Sequence, residues 1–119
     1  MKRKAIGKKN TAETLSPDAV LLDQKDNVAT SLHFLKSGSE ARIIGGGKNF
    51  VVNVLIDVPP GHKIALSHID VANHIIKFGE VIGASTKTIE KGEHVHIQNM
   101  ATLHGRGSEI SVSEKKQRK

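Results

Sequence analysis

Two histidines separated by a single residue, His94 and His96, are the first positions in this 119-residue chain whose type and spacing suggest chemistry. We predict a strand over His94–Ile97, where side chains two residues apart share one face at roughly 6.5–7 Å along the strand. Two imidazoles at that spacing could converge on a metal ion or on a substrate. Gln98 continues the same face, and Asn99 follows it. Because a metal site usually needs three or more protein ligands, the pattern predicts no complete metal site. A half-exposed polar strand face stays an alternative.

Three further cations lie next to predicted turns. His62 and Lys63 follow Pro59-Pro60-Gly61, and Lys77 precedes Phe78-Gly79. A cation held at a turn can bind a carboxylate or a phosphate. The alternative for either lysine alone is an ordinary solvated surface side chain.

The charge distribution limits the classes of partner. The formal charge is +6, but residues 1–9 carry +5, residues 106–119 carry +3, and the 96 residues between them carry −2. The chain has three Phe and neither Tyr nor Trp, which argues against stacking on single-stranded bases. Basic ends can bind nucleic acid or anionic surfaces, or they can simply keep the chain in solution. Nucleic-acid binding is therefore the weaker interpretation.

Other counts exclude further classes of protein. The absence of Cys removes disulfides, thiol nucleophiles and Cys-ligated zinc. No apolar run approaches the ~18 residues that span a membrane, and no signal-peptide core follows the basic start. A cytoplasmic protein without membrane association is the expectation.

One helix is predicted near residues 27–36. Asp26 or Asn27 could cap it, and Val28, Leu32 and Leu35 fall on one helical face. Gly38 suits the left-handed position that commonly follows a helix end.

The remainder is predicted as a mostly β domain of short strands, with no evident internal repeat. Gly45-Gly46-Gly47-Lys48 lacks the Ser/Thr and the helix of a phosphate-binding loop, so we predict a hairpin turn there. The domain extends over residues 19–103, between a disordered basic arm (1–18) and a basic tail (104–119). The predicted strands are Ala19–Leu22, Glu40–Ile44, Asn49–Asp57, Lys63–Leu66, Ile69–Val71, Ile75–Lys77, Val81–Ala84, Thr86–Ile89 and His94–Ile97.

Four phrases in this order resemble the SAF domain at the amino end of the altronate and galactarate dehydratase family. They are Asp26–Ala29, Val58–Ala65, Ile76–Gly79 with Ile82-Gly83, and Ile89–His96 followed by Asn99. The resemblance covers about Ala19 to Ala101. The chain departs from the family at Gln98, where a further His is frequent, and at Phe78, where Tyr is common.

The resemblance implies a β-clip fold and a part in a hydro-lyase, a carbon–oxygen lyase that dehydrates sugar acids. Such a chain is a small subunit or an amino-terminal domain, inactive alone, that contributes substrate-binding groups to a partner's active site. The partner is a large dehydratase subunit or a carboxy-terminal catalytic region. The chain itself is expected to bind no cofactor, with a divalent metal, iron being the candidate, in the partner. A homo-oligomer is left open.

Combined with the local chemistry, the resemblance assigns catalytic roles to His94 and His96. Substrate binding falls to His62, Lys63, Lys77 and Asn99, and no residue is assigned to a metal. The alternative of another class is a non-catalytic module that binds a sugar acid or regulates another protein.

Overall fold

A computed structural model describes residues 16–102, and within them short strands build two sheets. The strands are β1 Ala19–Val20, β2 Val28–Ser31, β3 Glu40–Gly45, β4 Lys48–Asn53, β5 Lys63–Ala65, β6 His74–Lys77, β7 Glu80–Ser85, β8 His94–Val95 and β9 Met100–Thr102. The larger sheet has the order β4-β3-β1-β2-β5-β8, with β1 and β3 parallel and the other pairs antiparallel. The smaller sheet, β9-β7-β6, is antiparallel. The prediction of a mostly β domain is confirmed, and the arrangement is consistent with a β-clip.

Four tight turns of one form connect these strands. In each, the N–H of the fourth residue donates to the carbonyl of the first, and the third residue has a positive φ, as in a type II turn. A buried apolar residue precedes each turn, and another lies two positions after the last residue of the turn. A seven-residue pattern therefore recurs in the fold, although no repeat is evident in the sequence. The turns are Lys36–Ser39, Pro59–His62, Asp70–Asn73 and Glu90–Glu93.

Two of these turns are held by a buried serine in the same way. The Ser31 hydroxyl donates to the Pro59 carbonyl at 2.6 Å, and the Ser85 hydroxyl donates to the Asp70 carbonyl at 2.6 Å. The backbone of each serine also exchanges two hydrogen bonds with the last two residues of its turn. In both halves of the domain, a serine at the end of a strand thus binds a turn through the same three hydrogen bonds.

Strands β2 and β5 separate two hydrophobic cores. We call the core that contains Ala29 and Ile64 the first core, and the core that contains Val28 and Ala65 the second core. Val28 pairs with Ala65, and Ala29 pairs with Ile64. Because side chains alternate along a strand, the two faces of this pair line different cores. This explains why neighbouring residues of β2 and β5 are both buried. The first core also contains Leu35, Ile43, Val52, Val54 and Val58, and the second contains Ile69, Ile75, Ile89, Val95 and Met100.

The predicted helix near residues 27–36 is wrong, because no helix occurs in residues 16–102. Val28 lies in strand β2, Leu32 is half exposed, and Leu35 forms a bridge with Val58. Only Val28 belongs to β2, so the helical spacing of these three residues does not reflect a shared element. Gly38 does adopt a positive φ of 90°, but in a turn between strands and not after a helix.

Asp26 and Asn27, predicted as helix caps, instead clamp the β6–β7 hairpin. The Asp26 carboxylate accepts the Phe78 and Gly79 N–H groups, each at 2.8 Å. The Asn27 side chain accepts the Ile76 N–H at 2.8 Å and donates to a carbonyl of β6. The sequence segments around residues 26 and 78 therefore contact each other, although about fifty residues separate them in the chain.

The hairpin prediction at Gly45–Lys48 is confirmed, since Gly46 and Gly47 form a two-residue loop between β3 and β4 with φ of 58° and 78°. Several predicted strands are shorter than expected. The segment 49–57 ends as a strand at Asn53, and 94–97 ends at Val95. The segments 69–71 and 86–89 contribute only the isolated bridge between Ile69 and Ile89.

Most of the basic arm predicted over residues 1–18 and the tail predicted over 104–119 lie outside the described residues. In the part of the chain that the structure describes, no helix is long and apolar enough to cross a bilayer.

Candidate functional site

The pairing of β5 with β8 brings together two histidines that lie far apart in the sequence. Ile64 pairs with His94, so the turn residue His62 lies beside the His94 ring. The Nδ1 atom of His62 and the Nε2 atom of His94 are 2.8 Å apart, a hydrogen-bonded contact. His62, predicted only as an assisting substrate ligand, is therefore in direct contact with a predicted catalytic residue.

The third imidazole, His96, completes a stack. Its ring centroid lies 4.1 Å from that of His62 and 5.5 Å from that of His94, and the rings are inclined by 23° and 16°. We call these three residues the histidine cluster. The predicted convergence of His94 and His96 holds, but His96 lies in the turn after β8 and not on a continuing strand.

Asn99 has a structural position in this site. It is buried, its Oδ1 accepts the His96 N–H at 2.9 Å, and its Nδ2 donates to the His94 carbonyl at 2.8 Å. Both ends of the amide therefore bind backbone and shape the turn that presents the two histidines. Gln98 is exposed, with its amide 3.3 Å from the Nδ1 atom of His94.

The predicted cation Lys63 lies on the other face of the sheet. In register it opposes Thr30 and Val95, whereas Ile64 and His94 share the opposite face. The Thr30 hydroxyl is buried and has no hydrogen-bond partner among the described residues. Lys77 lies close enough to Lys63 for its charge to lower the pKa of that ammonium. The structure thus separates the predicted site into the histidine cluster and a neighbouring lysine pair.

The electrostatics of the site disfavour protonation of His94, His96 and Lys63. Burial, followed by the charges of His62, His96 and Lys63, lowers the pKa of His94. Burial and the charges of His62 and Lys63 also lower the pKa of His96. Burial, more than the charge of Lys77, lowers the pKa of Lys63. All these influences act in one direction because no carboxylate of residues 16–102 forms an ion pair with these side chains.

The histidine cluster borders an open cleft of about 230 Å³ that His94 helps to line. Ligand pockets of proteins typically measure about 300–1,000 Å³, so this cleft alone is small for a ligand site. Apart from Gln98 and Asn99, no motif in the sequence marks the other residues of the cleft. They include Ile56, Lys87, Thr88 and Glu93.

The chemistry of the histidine cluster also suits a metal ion. One nitrogen from each ring lies within 4.8 Å of the other two. Among residues 16–102 no other group of three His, Asp or Glu side chains brings its donor atoms so close. Sequence analysis missed this set because His62 is 32 residues from His94, and only the β5–β8 pairing reveals their contact.

The fold and the site first define a class of protein: a small β domain of tight turns, with an open basic site lined by imidazoles. The chain belongs to the family described as the altronate/galactarate dehydratase SAF domain, whose model matches residues 17–103. This confirms the resemblance drawn from the four phrases.

The relatives differ greatly in length. The chain is 32% identical over 83 residues to altronate dehydratase of Bacillus subtilis (strain 168), covering 70% of this chain and 16% of that protein. It is 39% identical over 77 residues to altronate dehydratase of Escherichia coli (strain K12), covering 65% and 15%. It is also 33% identical over 60 residues to (2R)-sulfolactate sulfo-lyase subunit alpha of Paracoccus pantotrophus, covering 50% and 90%. The chain therefore spans about one sixth of the two dehydratases but most of the sulfo-lyase subunit.

Proposed function

We propose that this chain is a small subunit, or an amino-terminal domain, of a sugar-acid dehydratase of the altronate/galactarate type. It contributes substrate-binding groups to the metal-dependent active site of a larger partner and is inactive alone. The observation that carries the proposal is the histidine cluster with a pair of lysines next to it, and no carboxylate of the described residues forms an ion pair with any of these side chains. Unneutralised cations next to imidazoles suit an anionic substrate that must also exchange protons.

The relatives and the cleft support a divided active site. The two altronate dehydratases are about six times longer than the segment they share with this chain, and the sulfo-lyase relative is named as one subunit. A cleft of about 230 Å³, open to solvent, needs a second surface to enclose a substrate. The partner supplies that surface and the metal.

The reaction requires groups that this site offers. A base removes the proton next to the carboxylate of the sugar acid, the electron pair forms an enediolate, and the neighbouring C–O bond breaks. The leaving hydroxyl takes a proton and departs as water. We assign His94 and His96 to substrate binding or proton transfer, with assistance from His62. Lys63 and Lys77 bind the carboxylate.

The test first establishes whether a neighbouring gene encodes a large dehydratase-like chain and then co-expresses that chain with this one. We expect the two to purify as a complex that converts altronate or galactarate to an α-keto acid, measured as its semicarbazone. His94→Ala and His96→Ala should each lower kcat by about 100-fold or more, as expected for a proton-transfer or substrate group. His74→Ala, which removes an exposed histidine on β6, is the matched control. Unchanged turnover in both site variants would exclude the histidines from the mechanism.

The second candidate is a non-catalytic module that binds a sugar acid or regulates another protein. Asn99 is buried, and its side chain binds only the backbone of His94 and His96. It therefore fixes the turn that carries the two histidines, and a binding module also needs such a fixed turn. Titration calorimetry of the chain with altronate distinguishes the two candidates. Binding by a monodisperse chain that gains no activity from any large partner would favour the module.

A further inference from the structure

We infer that the histidine cluster is a binding site for one divalent transition-metal ion, held by His62, His94 and His96 of this chain. This departs from the expectation that the chain supplies no metal ligand. The inference does not rest on the proposed function, because a metal site would serve a binding module as well as a dehydratase component. In a dehydratase the three rings would then act on the substrate through the ion and not by proton transfer.

The composition of the donor set selects the metal. Three imidazole nitrogens with no carboxylate suit Zn²⁺, Fe²⁺, Cu²⁺ or Ni²⁺, whereas Mg²⁺ and Ca²⁺ require oxygen ligands. Three protein ligands leave at least one position open, the arrangement of reactive zinc sites and not of structural ones. Each ring is partly buried, and His94 lines the cleft, from which an oxygen of a bound anion can reach an open position of the ion.

An unpartnered atom is an independent indication. The Nδ1 atom of His96 is buried and has no hydrogen-bond partner among the described residues. A buried polar atom left unpaired costs about 1–3 kcal/mol, so such atoms are rare. A cation between the three rings provides a partner of the right chemistry for an imidazole nitrogen.

The surroundings also hold the rings as a metal site requires. Metal-bound histidines usually donate from their second nitrogen to a nearby oxygen. When Nε2 of His94 binds the ion, Nδ1 carries the proton, and the Gln98 amide lies 3.3 Å from it. Turning that amide, whose oxygen and nitrogen are interchangeable in shape, places Oε1 to accept this proton, and the long contact of Nε2 with the His94 carbonyl at 3.3 Å is given up. Gln98 is thus a positioning residue for His94.

Binding requires a small rearrangement. The rings are nearly parallel, so their in-plane lone pairs do not yet meet at one point. Metal–nitrogen distances of about 2.0–2.1 Å bring two ligand nitrogens within about 3.3 Å of each other. The rings must therefore turn about the Cβ–Cγ bond, which is a soft torsion for histidine. The proton between His62 and His94 then moves to the outer nitrogen of its own ring, and none is lost.

The test uses the whole 119-residue chain, freed of metal by chelation and followed by circular dichroism to confirm folding. Titration with Zn²⁺ by calorimetry, and with Co²⁺ by visible absorption, should each give one ion per chain. His62→Gln and His96→Gln should weaken Zn²⁺ binding by at least about 100-fold, and Gln98→Leu by about 10-fold. His74→Gln is the matched control and should bind as the parent chain does.

Several results would overturn the site. Folded variants of His62 and His96 that bind Zn²⁺ as tightly as the parent would do so, as would an equal loss in His74→Gln. A stoichiometry well below one in the folded parent chain would also contradict it. Because the readout is ion binding and not turnover, failure of this test leaves the dehydratase assay unaffected, and the reverse also holds.

Discussion

Replacing Asp26 by Asn should destabilise the domain strongly, although the two side chains have nearly the same shape. Asp26 is only 8% exposed, and its carboxylate is the sole acceptor shown for the N–H groups of Phe78 and Gly79, both at 2.8 Å. Its Oδ2 also accepts the Asp23 N–H at 3.1 Å. An amide retains one acceptor oxygen and turns its NH₂ group toward a backbone N–H.

The magnitude follows from these bonds. A hydrogen bond to a charged group contributes about 1.5–3 kcal/mol, and an unsatisfied buried donor costs about 1–3 kcal/mol. Asn removes the charge and one of the two hairpin bonds, and partial hydration of the exposed loop offsets some of that loss. We therefore expect a decrease of about 2 kcal/mol in the free energy of unfolding for Asp26→Asn, and about 3 kcal/mol for Asp26→Ala. For a domain of this size, 2 kcal/mol lowers Tm by roughly 8–16 °C.

Urea denaturation followed by circular dichroism measures the change. The matched control is Asp57→Asn, since Asp57 accepts one exposed backbone N–H, that of Ser37, at 2.8 Å. That variant should lose less than about 0.5 kcal/mol, as is usual for exposed contacts. Equal losses in the Asp26 and Asp57 variants would refute the argument that the buried clamp fixes the hairpin.

Two further predictions concern the turns and a surface histidine. Gly92→Ala should cost about 3 kcal/mol or more, because φ is 94° and the new Cβ would meet a backbone carbonyl of β4. Gly38→Ala, at φ 90° with open space around it, should cost only about 1–2 kcal/mol, so equal urea midpoints would contradict this steric argument. Hydrogen bonds to Glu90 and then Asp70 raise the pKa of His68. The resulting stabilisation is complete below the unfolded pKa of about 6.5 and is lost as pH rises through the folded value. His68→Ala should therefore destabilise the chain at about pH 6 but not at about pH 8.5, and an NMR titration midpoint below 6.5 would contradict the assignment.

The sequence predicted most of the fold because Gly and Pro mark its turns. Gly46-Gly47 and Pro60-Gly61 lie at turns, and the apolar segments between such positions are largely strands. The helix near residues 27–36 failed for a specific reason. Strand β2 separates two cores, so apolar Val28 and Ala29 follow each other without polar alternation. Leu32 and Leu35 lie beyond the strand, and their helical spacing from Val28 is a coincidence.

The site was predictable only where its residues are neighbours in the chain. The one-residue spacing of His94 and His96 indicated their convergence, but the contact with His62 depends on pairing between β5 and β8. Strand alternation then places Lys63 on the face away from these rings, which the sequence did not indicate. Whether the residues act in catalysis remains a prediction for the assays above.

The β5–β8 pairing also links the site to the kinetics of folding. Ile64 and His94, which pair there, are separated by thirty positions, and domains dominated by such distant pairings fold in milliseconds to seconds. The three imidazoles meet only after this loop has closed, so an unfolded or half-folded chain offers no such site. A ligand held by all three rings would therefore bind only the closed chain, adding about 2.7 kcal/mol of stability at a concentration 100 times its Kd. Such a ligand would slow the reopening of the chain, and the unfolding rate would report the occupancy of the site.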